Sequence, residues 1–233
     1  MFPSFQVNGS KYKVFEGKAE DRTLKDCDNA GYDALYMPSL VDLYLRHPSL
    51  LENKDNAAKT PSLHIIGQTK QGARIQIYSH IPVEINFFGS GISLNLGKGR
   101  VSAETLESLI SQDGRTDEEG TCVVSIIPFV QADLAINRKQ SFAEALENIH
   151  TPAFFGNTSR AERYFNLLEQ KGKNDIDLNH KNYEEQDISI AYMLVLDGNA
   201  LYAGKTWGFG RFFARERVTG EQEISTRDIS AVF

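Results

Sequence analysis

Leu63-His64-Ile65-Ile66-Gly67-Gln68-Thr69-Lys70-Gln71-Gly72-Ala73-Arg74-Ile75-Gln76-Ile77-Tyr78 decides the reading of the fold. Two apolar runs, 63–66 and 73–78, flank the turn Thr69-Lys70-Gln71-Gly72, whose residue types suit a tight reversal. In the second run Ile75 and Ile77 alternate with Arg74, Gln76 and Tyr78. A period of two predicts a strand with one buried face and one wet face, so the segment is a hairpin and its sheet is antiparallel.

Other segments extend the pattern. Phe5-Gln6-Val7 and Tyr12-Lys13-Val14-Phe15 flank Asn8-Gly9, a strong hairpin signal. Residues 83–88 and 92–96 read as two more strands, and 122–127 is the most apolar strand and is expected at the centre of the sheet. A strand over 188–196, the turn Asp197-Gly198-Asn199 and a glycine-aromatic strand close the chain. Helices are predicted from Pro38 to before Pro48, and from Ser102 with Leu106, Leu109 and Ile110 on one face. Two capping boxes, Ser141 with Glu144 and Ser159 with Glu162, predict two further helices, the last ending near Lys171-Gly172. Residues 18–31, 113–120 and 172–187 read as loops. Hairpins outnumber βαβ units, so the expectation is α+β: a mostly antiparallel sheet of several hairpins with three to four short helices packed on it. Residues 1–233 are read as one domain, weakly divisible near the acidic 113–120 loop.

Composition sets limits on function. Charged residues are 24% and hydrophobic residues 41%, the balance of a folded globular chain. The net charge of −6 excludes coating of nucleic acid by bulk charge, although a local basic patch acts within a screening length of ~8–10 Å. No apolar run approaches the ~18 residues of a membrane span, and Met1-Phe2-Pro3-Ser4-Phe5 lacks the basic start of a signal peptide. These features predict a cytoplasmic protein with no membrane partner and two reduced thiols, Cys27 and Cys122. With no C-x-x-C pair and no metal spacing among His47, His64, His80, His150 and His180, the sequence assigns no metal and no cofactor.

The segment Gly204-Lys205-Thr206-Trp207-Gly208-Phe209-Gly210-Arg211-Phe212-Phe213-Ala214-Arg215-Glu216-Arg217 is the richest in chemistry and holds the single tryptophan. As a strand it places Trp207, Phe209, Arg211 and Phe213 on one side, a row that stacks bases. Lys205, Arg211, Arg215 and Arg217 are then placed to meet phosphates. Gly204 to Phe212 looks somewhat like the glycine-rich loop of the repeat-associated RNA-binding proteins of CRISPR systems. Gly208-Phe209-Gly210 resembles the core of an RNA-recognition-motif strand. Both resemblances imply RNA contact within a ferredoxin-like unit. The expectation is therefore a non-catalytic subunit of a larger assembly, binding RNA or single-stranded nucleic acid beside other protein subunits. The same composition also fits a hairpin that packs on a helix or on another chain, its arginines paired with Glu216, Glu221 and Glu223.

Two further patterns carry chemistry. Lys98 and Arg100 lie in Leu94-Asn95-Leu96-Gly97-Lys98-Gly99-Arg100, read as a strand leading into a helix, where they are candidate phosphate contacts although the P-loop spacing is not met. Cys27 followed by the strand-borne His64 and His80 has the order of papain-like peptidases, which makes the three residues a candidate hydrolase site. Asp26 and Asp28 oppose thiolate formation there. Arg160, Arg163 and Lys171, interspersed with Glu162 and Glu169, read as a solvated helix face.

Overall fold

The computed structural model describes residues 4–17, 20–51, 57–87, 98–129, 138–180, 189–203 and 210–218. Within them the chain runs β1 (Ser4–Val7), β2 (Ser10–Gly17), α1 (Glu20–Asn29), β3 (Tyr32–Ala34), α2 (Met37–Arg46), β4 (Ala58–Gln68), β5 (Arg74–Ser79), β6 (Asn86–Phe87) and β7 (Lys98–Arg100). It continues through α3 (Ala103–Ile110), β8 (Val124–Pro128), β9 (Arg138–Ser141), α4 (Phe142–Leu146), α5 (His150–Phe155) and α6 (Thr158–Gln170). Four strands finish it: β10 (Asp175–His180), β11 (Ile190–Asp197), β12 (Ala200–Ala203) and β13 (Gly210–Glu216). All thirteen strands join one sheet, antiparallel except where β10 meets β12 and where β13 touches β4. The fold is α+β with a mostly antiparallel sheet, as the hairpin-rich sequence predicts.

Local chemistry accounts for the hairpins. Asn8 and Gly9 adopt φ of 47° and 82°, the pair of positive values a two-residue turn needs to match strand twist. The β4–β5 register runs from Leu63↔Ser79 to Gln68↔Arg74 around the predicted turn. β4 is eleven residues long and contains Pro61, which has no N–H to give a ladder. Its pairing with β11 slips at this point: Leu63 faces Met193, whereas Lys59 faces Val195. The proline, which would weaken a regular central strand, sits at this bulge.

Helices cover both faces of the sheet. On one side α2 and α4–α6 enclose Tyr44, Tyr78, Phe154, Phe155, Phe165, Leu194 and Phe213. On the other, α1 and α3 enclose Cys27, Leu63, Ile65, Ile77, Leu106, Met193 and Phe212. This double cover changes the reading of β5. Gln76 and Tyr78, expected to be wet, are fully buried, because Tyr78 meets His150 and Phe154 on α5.

Four further segments differ from expectation. The 122–127 run is not central, since among the described residues β8 pairs only with β5, while β4 pairs with β5, β11 and β13. Residues 20–29 form α1 with a narrow inward stripe of Thr23 and Cys27, too narrow to stand out among charged neighbours. Residues 175–180 form β10, in which Ile176 and Leu178 are buried between Asp175, Asp177 and Asn179. The cap of α6 is Asn157, whose side chain accepts from Arg160 N, two residues before the predicted Ser159. The Ser141–Glu144 capping box forms as expected. Residues 92–96, expected as a strand, lie outside the described residues.

Candidate functional site

A cleft of about 420 Å³ opens where α1, β3, α2 and the end of β13 meet. Its geometry follows from chain turns. Gly31, at φ 78°, reverses the chain after α1, and its carbonyl accepts from Arg217 N at 2.9 Å. β3 then pairs with β13 through Ala34↔Ala214, Asp33↔Arg215 and Tyr32↔Glu216. Leu35 N donates to Phe213 O at 2.8 Å, and α2 starts two residues later with Pro38 in its first turn. Met37 N donates to the buried Ser62 Oγ at 2.7 Å, which fixes α2 beside the Pro61 bulge.

The cleft is half apolar and half charged. Tyr32, Tyr36, Leu35, Pro61 and Pro82 supply the apolar wall. Asp28, Asp33, Ser39, Arg215 and Arg217 supply the rim. Arg217 Nε donates to Asp33 Oδ1 at 2.7 Å, and its Nη2 bonds Asp28 Oδ1. These carboxylates, Asp28 first, hold the guanidinium proton more tightly than usual. Burial, aided by the Asp33 charge, pushes the Tyr36 phenol up to about 12, so it is a neutral donor and acceptor at physiological pH. Pro61, within β4, and Pro82, after β5, both stand at the open end of the β4–β5 hairpin; Pro61 lies in the polar run Ala58-Lys59-Thr60-Pro61-Ser62, so no apolar pattern marks this end in the sequence.

Of the described residues predicted to form a nucleic-acid ledge, Arg215 and Arg217 reach this cleft and Arg211 does not. Lys205, Trp207 and Phe209 lie outside the described residues. Arg211 Nε pairs with Glu16 Oε1 across the β13–β2 ladder. Phe213, on the same strand face, is 6% exposed and packs edge-on against Tyr44 at 5.8 Å. Phe213 is therefore core, and the guanidinium groups of Arg211 and Arg217 are paired with the chain's own carboxylates. Lys98 and Arg100 lie on β7, paired with β11, so they project from a sheet face. The Lys98 amine sits 5.3 Å from the centre of the Tyr192 ring. The start of α3 is instead closed by Ser102 Oγ, which accepts from Thr105 N at 3.1 Å.

Cys27, His64 and His80 are not brought together. Cys27 packs with Leu63 and Ile65, whereas His64 lies between them in sequence and points to the opposite side of the sheet. Burial, helped by Asp26, pushes the Cys27 thiol up to about 12, the reverse of what a nucleophile needs. His64 Nε2 bonds Gln76 Oε1 at 2.7 Å. His80 has both ring nitrogens engaged, Nδ1 with Ser62 Oγ and Nε2 with Ala153 O, each at 2.8 Å. Burial lowers His64 to about 3 and His80 to about 4, so both rings stay neutral. His150, expected at the end of a helix, starts α5, and its Nδ1 is 2.6 Å from Tyr78 Oη. These imidazoles are parts of the core.

Arg160 also departs from its expected role. It is 4% exposed, and its Nε reaches both Asp42 carboxylate oxygens at 3.1 Å. Its other nitrogens donate to Phe155 O and Thr121 Oγ1. It ties α2, α5 and the 121 turn to α6 instead of lying in a solvated face. Among the described residues there is no group of three or more His, Cys, Asp and Glu side chains placed to hold a metal. No helix among them is long and apolar enough to cross a membrane.

No family model matches this sequence, and no curated protein matches it. A solved structure does. It is described as the accommodation of massive sequence variation in Nanoarchaeota by the C-type lectin fold. It superposes with a TM-score of 0.70 at 23% identity, covering 89% of this chain and 99% of that chain. The chain thus has a fold similar to a C-type lectin fold. This finding overturns the expectation of an RNA-binding subunit and of a ferredoxin-like unit around the glycine-aromatic segment. The pairing of Arg211 and Arg217 with carboxylates supplies the physical reason.

Proposed function

We propose that the chain is a recognition module of C-type lectin-like fold that binds a protein partner at the cleft between α1, β3, α2 and β13. The observation that carries the reading is the cleft itself: two tyrosines and two prolines beneath a rim with two arginines. Tyr and Arg, two of each in this lining, are residue types that concentrate binding energy in protein interfaces. The solved neighbour is described as accommodating massive sequence variation on this fold. Cys27 and Cys122 are unpaired thiols, which supports the cytoplasm as the working compartment.

The test uses a displayed random peptide library and a glycan array, each probed with the full chain and with Ser39→Trp. Ser39 is exposed on the rim, so the indole blocks the cleft without disturbing the core. Peptides enriched by the wild type and lost on Ser39→Trp support the reading. Binding confined to the glycan array, with the same sensitivity to Ser39→Trp, overturns it in favour of a saccharide. Retention of all peptide binding by Ser39→Trp places the interface elsewhere and also overturns it.

A further inference from the structure

Asn8-Gly9 is the chain's single Asn-Gly pair, and it carries a chemistry that lies outside the cleft. Both residues are exposed. Neither the Asn8 side chain nor the Gly9 N–H has a hydrogen-bond partner among the described residues. Nothing lies within 4 Å of where a Cβ would stand on Gly9, so the approach to its amide nitrogen is open. Other asparagines are engaged. Asn148 Nδ2 donates to Gln140 Oε1 and its Oδ1 accepts from His150 N. Asn157 caps α6, and Asn199 Nδ2 donates to Asp175 Oδ1.

The turn itself holds the reaction of such a pair back. Attack by the Gly9 nitrogen on Asn8 Cγ needs that nitrogen eclipsed with Cβ across the Asn8 Cα–C bond. A two-residue turn with both φ values positive sets it nearly opposite, and the Val7↔Ser10 pair fixes the rotation. The hairpin must therefore open first. β1 is four residues long and, among the described residues, pairs with β2 alone, which makes it the strand that opens most readily. Its hold on the core is Val7 and the Phe5 ring, stacked on Tyr12 at 5.6 Å and edge-on to Phe213 at 6.5 Å.

We propose that Asn8 is a spontaneous deamidation site gated by β1, and that its isoaspartate product keeps β1 from pairing again. Once the hairpin opens, the Gly9 amide loses its proton to hydroxide and its nitrogen attacks Asn8 Cγ. The new C–N bond closes a succinimide, and the side-chain nitrogen leaves as ammonia after taking a proton from water. A second water opens the ring. Hydrolysis of the bond to Cγ leaves an aspartate, whose Asp-Gly pair suits the same turn. Hydrolysis of the main-chain bond leaves an isoaspartate, in which the backbone runs through Cβ and Cγ. That adds one backbone carbon to a two-residue loop, so Val7 and Ser10 no longer meet in register. β1 then stays off, and the β2 edge and the Phe213 ring lose their cover.

The full chain is incubated at pH 8, and its tryptic peptide ending at Lys11 is followed by mass spectrometry. A gain of one mass unit at Asn8, ahead of Asn148, Asn157 and Asn199, is expected. Phe5→Ala is expected to speed the conversion about tenfold in the folded protein and to leave it unchanged in urea, because it acts only on the opening of β1. Phe5→Leu, a milder change should Phe5→Ala not fold, speeds it less. Hydrogen exchange then compares the isoaspartate form, isolated by ion exchange and assigned from its peptide, with Asn8→Asp. The Val7 and Ser10 amides are expected to exchange freely in the first and to stay protected in the second, which separates the added carbon from the added charge. An Asn8 that outlasts the other asparagines, a folded-state rate indifferent to both Phe5 variants, or an isoaspartate form with protected β1–β2 amides overturns the inference.

Discussion

Acidification from pH 7 to pH 5 is expected to remove about 4 kcal/mol of folding stability through two imidazoles. His64 and His80 lie inside the sheet-helix layer, and burial lowers them from the ordinary 6.5 to about 3 and about 4. Burial is the largest cause, and the nearby His150 and Arg160 charges add to it for His64 and His80 respectively, while the hydrogen bonds to Gln76 and to the Ala153 carbonyl oppose it only in part. A base with a lowered native pKa leaves the unfolded chain holding more protons, so stability rises with pH. The contribution is complete above 6.5 and is lost as pH falls toward the native values. At pH 5 the unfolded imidazole is almost wholly protonated and the native ring is almost wholly neutral, which is ~2 kcal/mol per histidine relative to pH 7. That amount depends little on how far below 5 the native value lies. For a chain of this size it corresponds to a fall of ~8–16 °C in Tm. Urea unfolding at pH 7, 6 and 5 measures it directly, and ring chemical shifts of the histidines in the folded protein report the protonation state. Unfolding free energies that stay flat over this range, or imidazolium signals from His64 and His80 in the native protein at pH 5, refute the reasoning.

Arg160→Leu leaves the half-enclosed Asp42 with only the longer pairing to Arg163 at 3.7 Å and frees the Phe155 carbonyl, so a loss of ~2–3 kcal/mol is expected in urea unfolding. Gly156→Ala is expected to destabilise by ~1–3 kcal/mol, because φ is 77° there and an added Cβ collides with Thr121 Cγ2. Ser141→Ala removes the capping box of α4 and should lower stability by ~1 kcal/mol, measurable in the same assay. Iodoacetamide at pH 8 should label the partly exposed Cys122 and leave Cys27 untouched until the protein unfolds, since Cys27 is 1% exposed and its thiol titrates near 12. Mass spectrometry of tryptic peptides distinguishes the two sites.

The fold class was legible because it rests on local signals. Asn8-Gly9, the alternation over 73–78, Pro38 and the Ser141–Glu144 box each act within a few residues, and each stands where its chemistry predicts. Strand order was not legible in the same way. The run 122–127 is strongly apolar, yet Val124 and Ile127 are buried by packing on β5 and by the two core clusters, without a central place in the sheet. Hydrophobicity reports burial and leaves the number of neighbouring strands undetermined. β4, the strand with three partners, carries Lys59, Thr60, Ser62 and His64, all buried. Their polarity is met across the sheet: Thr60 Oγ1 donates to Leu194 O, and Ser62 and His64 bond as described. Partners of this kind are contributed by distant elements, so a polar β4 reads as exposed until the sheet is assembled.

The site shows the same limit in its charges. The arginines at the carboxyl end have acidic neighbours in sequence, yet the described partners of Arg211 and Arg217 are Glu16, Asp28 and Asp33. Arg217 and its two carboxylates are separated by 184 and 189 residues. A sequence window sees clustered cations and offers phosphate as their counter-ion, whereas the folded chain supplies counter-ions from α1, β2 and β3. What remains after this internal pairing is the informative charge. At the cleft the cluster reduces to two guanidiniums, Arg215 and Arg217, balanced by two carboxylates, Asp28 and Asp33, beside a wall of tyrosine and proline. A polyanion selects for many free cations spread along a groove. A charge-balanced rim next to an apolar surface has no such excess of cations, and that difference separates the function the sequence suggested from the one the cleft supports.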